Sequence, residues 1–239
     1  MKKKIAIFGD SYACWNVDLR NEHLGLSWVE HLEFIYEISN FSRGGSAFQW
    51  SYRLFLENKD RFDYCIIVVS APGRIYIEAL ENIPNRPIGH FYGQPEYINH
   101  LKSITTDDKI LKIIDSVEIW YNNWRDHIFE EIHLHELMVN NVLKYDNVLI
   151  IPGFPRSVPN YNEVYQNLTD IQYWELLELN PNFDPTNLHC KRKCHLSKEN
   201  NLILFELVNQ AIKRKDKILN LDIKYFKKPP NSLDYYVTI

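Results

Sequence analysis

Three short runs, Ile5–Phe8, Cys65–Val69 and Val148–Ile151, are apolar at every position and rich in β-branched residues. A strand with one wet face alternates apolar and polar residues, so a run without alternation must be covered on both faces. A parallel sheet between two layers of helices provides that cover. Ile35–Ser39 is a weaker fourth strand, and helical stretches separate the four: Leu24–Phe34, Ala47–Asn58, one long helix from about Asp107 to Lys144, and Glu199–Lys215. This alternation predicts a three-layer α/β/α sandwich with a flavodoxin-like, mostly parallel sheet of about four or five strands.

The expected organisation is a single α/β domain over residues 1–228 with a C-terminal extension over 229–239. Two Pro-rich insertion loops interrupt it, at 81–97 after the second apolar run and at 152–167 after the third. Both loops follow the carboxyl ends of parallel strands, the edge where open α/β sheets bind ligands.

With 239 residues, 45% hydrophobic and 24% charged, the chain has the composition of an ordinary globular protein. Its 27 Lys plus Arg against 31 Asp plus Glu give a net charge of -4, so no global field draws it to nucleic acid or to an anionic membrane. Four cysteines, Cys14, Cys65, Cys190 and Cys194, are too sparse for a disulfide scaffold and suit a reducing compartment. The apolar run after Lys2–Lys4 is too short for a signal peptide, and none approaches the roughly 18 residues of a membrane span. A cytoplasmic location is expected.

The first strand runs directly into Gly9-Asp10-Ser11. A Ser just after a buried strand, at a turn leading toward a helix, presents its hydroxyl and its own N–H at the carboxyl edge of the sheet, which is what a nucleophile requires. Near the other end, His195 precedes Leu196-Ser197 and an apolar-periodic helix that Ser197 would cap. A His held at a helix start beside that edge is a general-base candidate.

Together these blocks resemble the SGNH/GDSL hydrolase family. Gly9-Asp10-Ser11 is similar to the family's first block, which supplies the nucleophilic Ser and one oxyanion N–H. Asn40-Phe41-Ser42-Arg43-Gly44-Gly45-Ser46 resembles the second, in which Gly45 would give another N–H. His195-Leu196-Ser197 resembles the last, which carries the catalytic His. The third block departs from the usual pattern: where most members have an oxyanion Asn, this chain reads Ser70-Ala71-Pro72-Gly73-Arg74, a variant resembling phage-encoded members. Ser70 would donate a hydroxyl there or serve as a cap, and Arg74 would hold an anionic or polyhydroxyl substrate group or form a surface ion pair. Arg192 stands where most members place an Asp three residues before the His. Orientation of the imidazole then falls to a backbone carbonyl or to Asp184, and His189 is a rival base.

The resemblance implies a serine esterase acting on an ester, such as an O-acyl carbohydrate. Ser11, His195 and Asp184 would be catalytic, Ser11, Gly45 and Ser70 would form the oxyanion hole, and Asp10, Tyr12 and Arg74 would contact substrate. An O-acyltransferase using the same Ser–His site and a non-catalytic glycan-binding or structural module are the alternatives. Location in a host cytoplasm or a virion would follow from a viral source.

Other constellations are poorer in the parts they need. His189-Cys190 and Cys194-His195 lack a second ligand pair for zinc, and no metal is expected. His127, Glu131 and His135 share one helical face, expected to be a solvated stripe. No glycine spacing fits a phosphate loop, and no cofactor is expected. The basic stretch Lys191–Lys228 suits a helix C-terminus, and no nucleic-acid partner is expected. The 14% aromatic content partly clusters near the expected active edge, at Tyr12, Trp15, Phe48, Trp50, Phe91, Tyr92 and Tyr97, where flat rings would suit a sugar or acyl group. Trp120, Tyr121 and Trp124 are expected in the core.

Overall fold

The computed structural model describes residues 2–15, 26–70, 74–80, 90–91, 95–126, 133–153, 196, 198–220 and 225–226. The apolar runs become β1 (Lys4–Phe8), β3 (Tyr64–Val69) and β6 (Val148–Pro152), with β2 at Glu37–Asn40. They form one parallel sheet in the order β2-β1-β3-β6. The register pairs Ile5 with Ile38 on one side and with Tyr64 on the other, and Cys65 with Val148. A single parallel bridge from Ile150 to Ile218 extends the far edge.

The lack of alternation in the strands is explained by two separate cores. Ile5, Ile7, Ile66, Val68, Leu149 and Ile151 face one layer. That layer is α1 (Trp28–Glu33), through Trp28, Val29 and Leu32, and α6 (Lys198–Arg214), through Leu204, Val208, Ala211 and Ile212. Ala6, Phe8, Cys65, Ile67, Val69, Val148 and Ile150 face the other, made of α2 (Phe48–Asn58) and α5 (Leu134–Val142). The chain is thus a three-layer α/β/α sandwich. A satellite cluster of Ile75, Leu80, Ile98, Leu101 and Ile114 joins α3 (Pro95–Ser103) to α4 (Asp108–Asn123).

Four boundaries differ from the sequence expectation. α1 starts at Trp28 because Ser27 and Glu30 form a reciprocal capping box. β2 starts at Glu37, because the Ile35 and Tyr36 N–H groups still close the last turn of α1 on Leu32. Inside the expected 81–97 loop, β5 (His90–Phe91) pairs antiparallel with β4 (Ile75–Tyr76), and α3 begins at Pro95.

The expected long helix is two, α4 and α5. As one straight rod, residues 107–144 would span about 57 Å, about three times the radius of gyration of a chain this size. The two apolar faces also serve different cores: Ile114 of α4 packs in the satellite cluster, whereas Met138, Val139 and Val142 of α5 pack on the sheet. Trp124, expected in the core, is 76% exposed just beyond α4, while Trp120 and Tyr121 are half-buried against the satellite cluster. No described helix is long and apolar enough to cross a membrane.

His135 departs from the expected solvated stripe; His127 and Glu131 lie outside the described residues. It is 3% exposed, its ring lies 4.7 Å from that of Phe48, and its Nε2 has no hydrogen-bond partner among the described residues. Burial holds its pKa down at about 4, because the apolar interface between α2 and α5 disfavours the imidazolium. The unfolded chain therefore binds a proton between about pH 6.5 and 4 that the folded chain refuses, so stability falls as pH drops through that window. The loss is about 3 kcal/mol by linkage. Urea unfolding at pH 7 and pH 4 should show that wild type loses about this much more than His135→Phe; equal losses would remove His135 as the cause.

Candidate functional site

The strand order reverses at β1. From β1 the chain steps to β2 on one side and then crosses to β3 on the other, with α1 and α2 on opposite faces. Loops leaving the carboxyl ends of β1 and β3 diverge there, and the opening between them is where such sheets bind ligands. Gly9-Asp10-Ser11 follows β1, and Ser70 and Arg74 follow β3.

Gly9 permits the close approach of these two strand ends. A Cβ on it would lie 2.9 Å from Val68 Cβ and 3.0 Å from Ala13 Cβ, tighter than side chains tolerate. The chain then turns into a short 3-10 segment, Ser11–Ala13, capped by Asp10, whose Oδ1 accepts from the Tyr12 N–H at 3.1 Å. Asp10 is fully buried, and its Oδ2 receives Arg74 Nη1 at 2.7 Å. Burial pushes the Asp10 carboxyl above its ordinary pKa, and the Arg74 guanidinium and the Tyr12 N–H pull it back. Arg74 Nη1 also reaches the Ser46 carbonyl at 3.5 Å, and Ser46 Oγ donates to the Gly9 carbonyl at 2.8 Å. One guanidinium thereby gathers the loops after β1, β2 and β3.

The second block is fixed by its backbone. The Phe41 and Arg43 N–H groups continue the ladder onto the Ile7 and Gly9 carbonyls at 2.7 and 3.0 Å. Asn40 Oδ1 accepts from the Ser42 N–H, and its Nδ2 donates to the Ala13 carbonyl at 2.8 Å. Gly45 then sits at φ +79°, a conformation that favours glycine, and among the described residues a Cβ there would meet nothing within 4 Å.

Three donors beside this opening are unused. Neither the Ser11 N–H nor the Gly45 N–H donates to any acceptor among the described residues. The Ser70 hydroxyl, on a residue only 1% exposed, has no hydrogen-bond partner among them either. Folded chains pair more than nine in ten of their buried polar groups, so an orphan such as the Ser70 hydroxyl calls for a reason.

Of the other expected residues, Tyr12 packs in the core on the α1 and α6 face at 9% exposure, and Phe48 and Trp50 are buried too. The aromatic excess is thus largely packing in the described part of the chain. His195, Asp184, His189, Arg192, Cys190 and Cys194 lie outside the described residues, as do Tyr92 and the side chains of Phe91 and Tyr97. Leu196, which follows His195 in sequence, is buried in the same core as Tyr12. Its carbonyl accepts from Asn201 Nδ2 at 3.0 Å, and Asn201 Oδ1 accepts from the Trp28 N–H at 3.0 Å. Trp28 Nε1 in turn donates to the Tyr12 carbonyl at 2.7 Å, beside Ser11. A chain of hydrogen bonds thus links the neighbour of Ser11 to the neighbour of His195.

Sequence reasoning did not single out Asn40, Ser46, Trp28 or Asn201 as supports. Only Asn40 carried a signal, since an Asn just past a strand commonly bonds the backbone two residues on. The described residues hold no cluster of His, Cys, Asp and Glu fit for a metal, and Cys14 and Cys65 are both buried. No family model and no curated protein matches the chain.

Removing Arg74 leaves a buried carboxylate without its counter-charge, which costs about 3 kcal/mol in buried pairs. Arg74→Met should lower the urea midpoint accordingly, and Asp10→Asn combined with Arg74→Met should recover most of the loss. A double variant no more stable than Arg74→Met would show that the charge pair is not what holds these loops.

Proposed function

We propose that the chain is a serine hydrolase of the SGNH/GDSL type that cleaves an ester, with an O-acyl carbohydrate among its candidate substrates. The observation that carries this reading is that the N–H groups of Ser11 and Gly45 and the Ser70 hydroxyl, on the loops leaving β1, β2 and β3, have no hydrogen-bond partner among the described residues. Ser11 Oγ attacks the ester carbonyl while His195 takes its proton. The three donors receive the oxygen of the tetrahedral intermediate, whose charge is larger than that of the ground-state carbonyl, so they favour the transition state over the substrate. Collapse expels the alcohol, protonated by His195, and water then attacks the acyl-enzyme with His195 as base. Asp184 or a backbone carbonyl orients the imidazole. The linkage through Trp28 and Asn201 supports His195 as the partner, because it fixes the residue next to it relative to the Ser11 turn. Arg74 enters as a support of the nucleophile turn, with Asp10 as its partner.

Two sequence departures favour a second reading, a non-catalytic glycan-binding or structural module: Arg192 at the position of the usual Asp, and Ser70 at that of the usual Asn. Transfer of the acyl group to a sugar hydroxyl instead of water is the nearest variant of the enzyme reading.

A fluorophosphonate probe separates these. Wild type should be labelled at Ser11, Ser11→Ala should not be labelled, and His195→Ala should be labelled at least about a hundredfold more slowly. Wild-type labelling no faster than that of Ser11→Ala contradicts the hydrolase reading. For an ester that proves to be turned over, Ser70→Ala should lower kcat by about a hundredfold or more with little change in KM.

A further inference from the structure

Among the described residues, Arg43 and Arg74 follow the carboxyl ends of β2 and β3, and they differ in what they bond. Arg74 is held by Asp10. Arg43 is tied down by its backbone, its N–H on the Gly9 carbonyl at 3.0 Å and its carbonyl receiving the Ser46 N–H at 3.1 Å. Its half-buried side chain, however, makes no hydrogen bond or ion pair among the described residues. Two residues on, Gly45 has, among the described residues, nothing within 4 Å of where a Cβ would lie and no partner for its N–H. A guanidinium offers five donors in a planar fork that matches a carboxylate or phosphate with two parallel bonds. Partial burial strengthens such a pair relative to one in open water. The net charge of -4 adds that no long-range field brings an anion to this chain, so an anionic ligand needs a local cation.

We propose that Arg43 is a specificity-determining residue that binds an anionic group, a carboxylate or a phosphate, carried by the ester whose carbonyl meets Ser11 and Gly45. The substrate class narrows from esters in general to esters bearing a negative charge. This rests on the reading of Ser11 and Gly45 as the reacting centre for its geometry, but the binding of the anion does not need turnover.

Binding to the Ser11→Ala protein, read by isothermal titration, tests it without catalysis. The ligands are 3-acetoxypropanoate, 2-acetoxyethyl phosphate and the neutral 3-acetoxypropanamide. At least one anion should bind tenfold or more tightly than the amide. Arg43→Gln should abolish that preference while leaving the amide's affinity unchanged, Arg43→Lys should keep part of it, and added salt should weaken it. Which anion is preferred distinguishes carboxylate from phosphate. Equal affinity for charged and neutral ligands, no binding of either anion, or a preference that survives Arg43→Gln overturns the proposal. Failure of the hydrolase reading would instead appear as wild-type protein that the fluorophosphonate does not label, whatever these titrations give.

Discussion

The covering of β1 on all sides is the constraint on which the rest of the structure depends. Its residues are apolar on both faces, so helices must lie above and below it, and it is paired along both edges, with β2 and with β3. With β1 paired on both edges, β2 lies on one side of it and β3 on the other. Right-handed crossovers then place α1 and α2 on opposite faces. The loops at the carboxyl ends of β1 and β3 cannot close over one another, and an opening is left where the order reverses. Burial of apolar strands, a matter of stability alone, thus fixes where a ligand can enter.

Everything chemical in the described part of the site hangs on that opening. Gly9 lets the two strand ends approach, Asp10 caps the turn that holds Ser11, and Arg74 joins this turn to the loops after β2 and β3. A buried ion pair is a weak source of net stability, since desolvation offsets most of the attraction. Its contribution here is geometric: Arg74 takes one Asp10 oxygen and the Tyr12 N–H the other, and the Ser11 N–H has no partner among the described residues. The same partition separates the two arginines, one consumed in support and one left for a ligand.

Much of the sheet was legible in the sequence because the reason for its pattern is local. Ile5–Phe8, Cys65–Val69 and Val148–Ile151 announce burial on two faces by themselves, and the three-layer class follows. The helix limits were less legible, because they depend on partners distant in sequence or on caps. The split between α4 and α5 reflects two different cores, and His135 reads as polar in sequence but is buried against Phe48 because α5 packs beside α2. The blocks of the sequence place Ser11, Gly45 and Ser70 in the loops after β1, β2 and β3, and that placement the structure shows. The engagement of Arg74 by Asp10 was not legible, since a contact across 64 residues leaves no trace in spacing. For the same reason Trp28 and Asn201, 173 residues apart, gave no sign that they link the neighbours of Ser11 and His195.

In the proposed reaction, the donors of Ser11, Gly45 and Ser70 receive the oxyanion formed when Ser11 attacks an ester. A crystal structure of the protein after reaction with a phosphonate ester tests this most directly, because the phosphoryl oxygen occupies the place of the oxyanion. The account predicts a covalent bond from Ser11 Oγ to phosphorus, with the phosphoryl oxygen about 2.7–3.1 Å from the Ser11 and Gly45 nitrogens and from Ser70 Oγ. An adduct on another residue, or one on Ser11 whose phosphoryl oxygen turns away from all three donors, would contradict it.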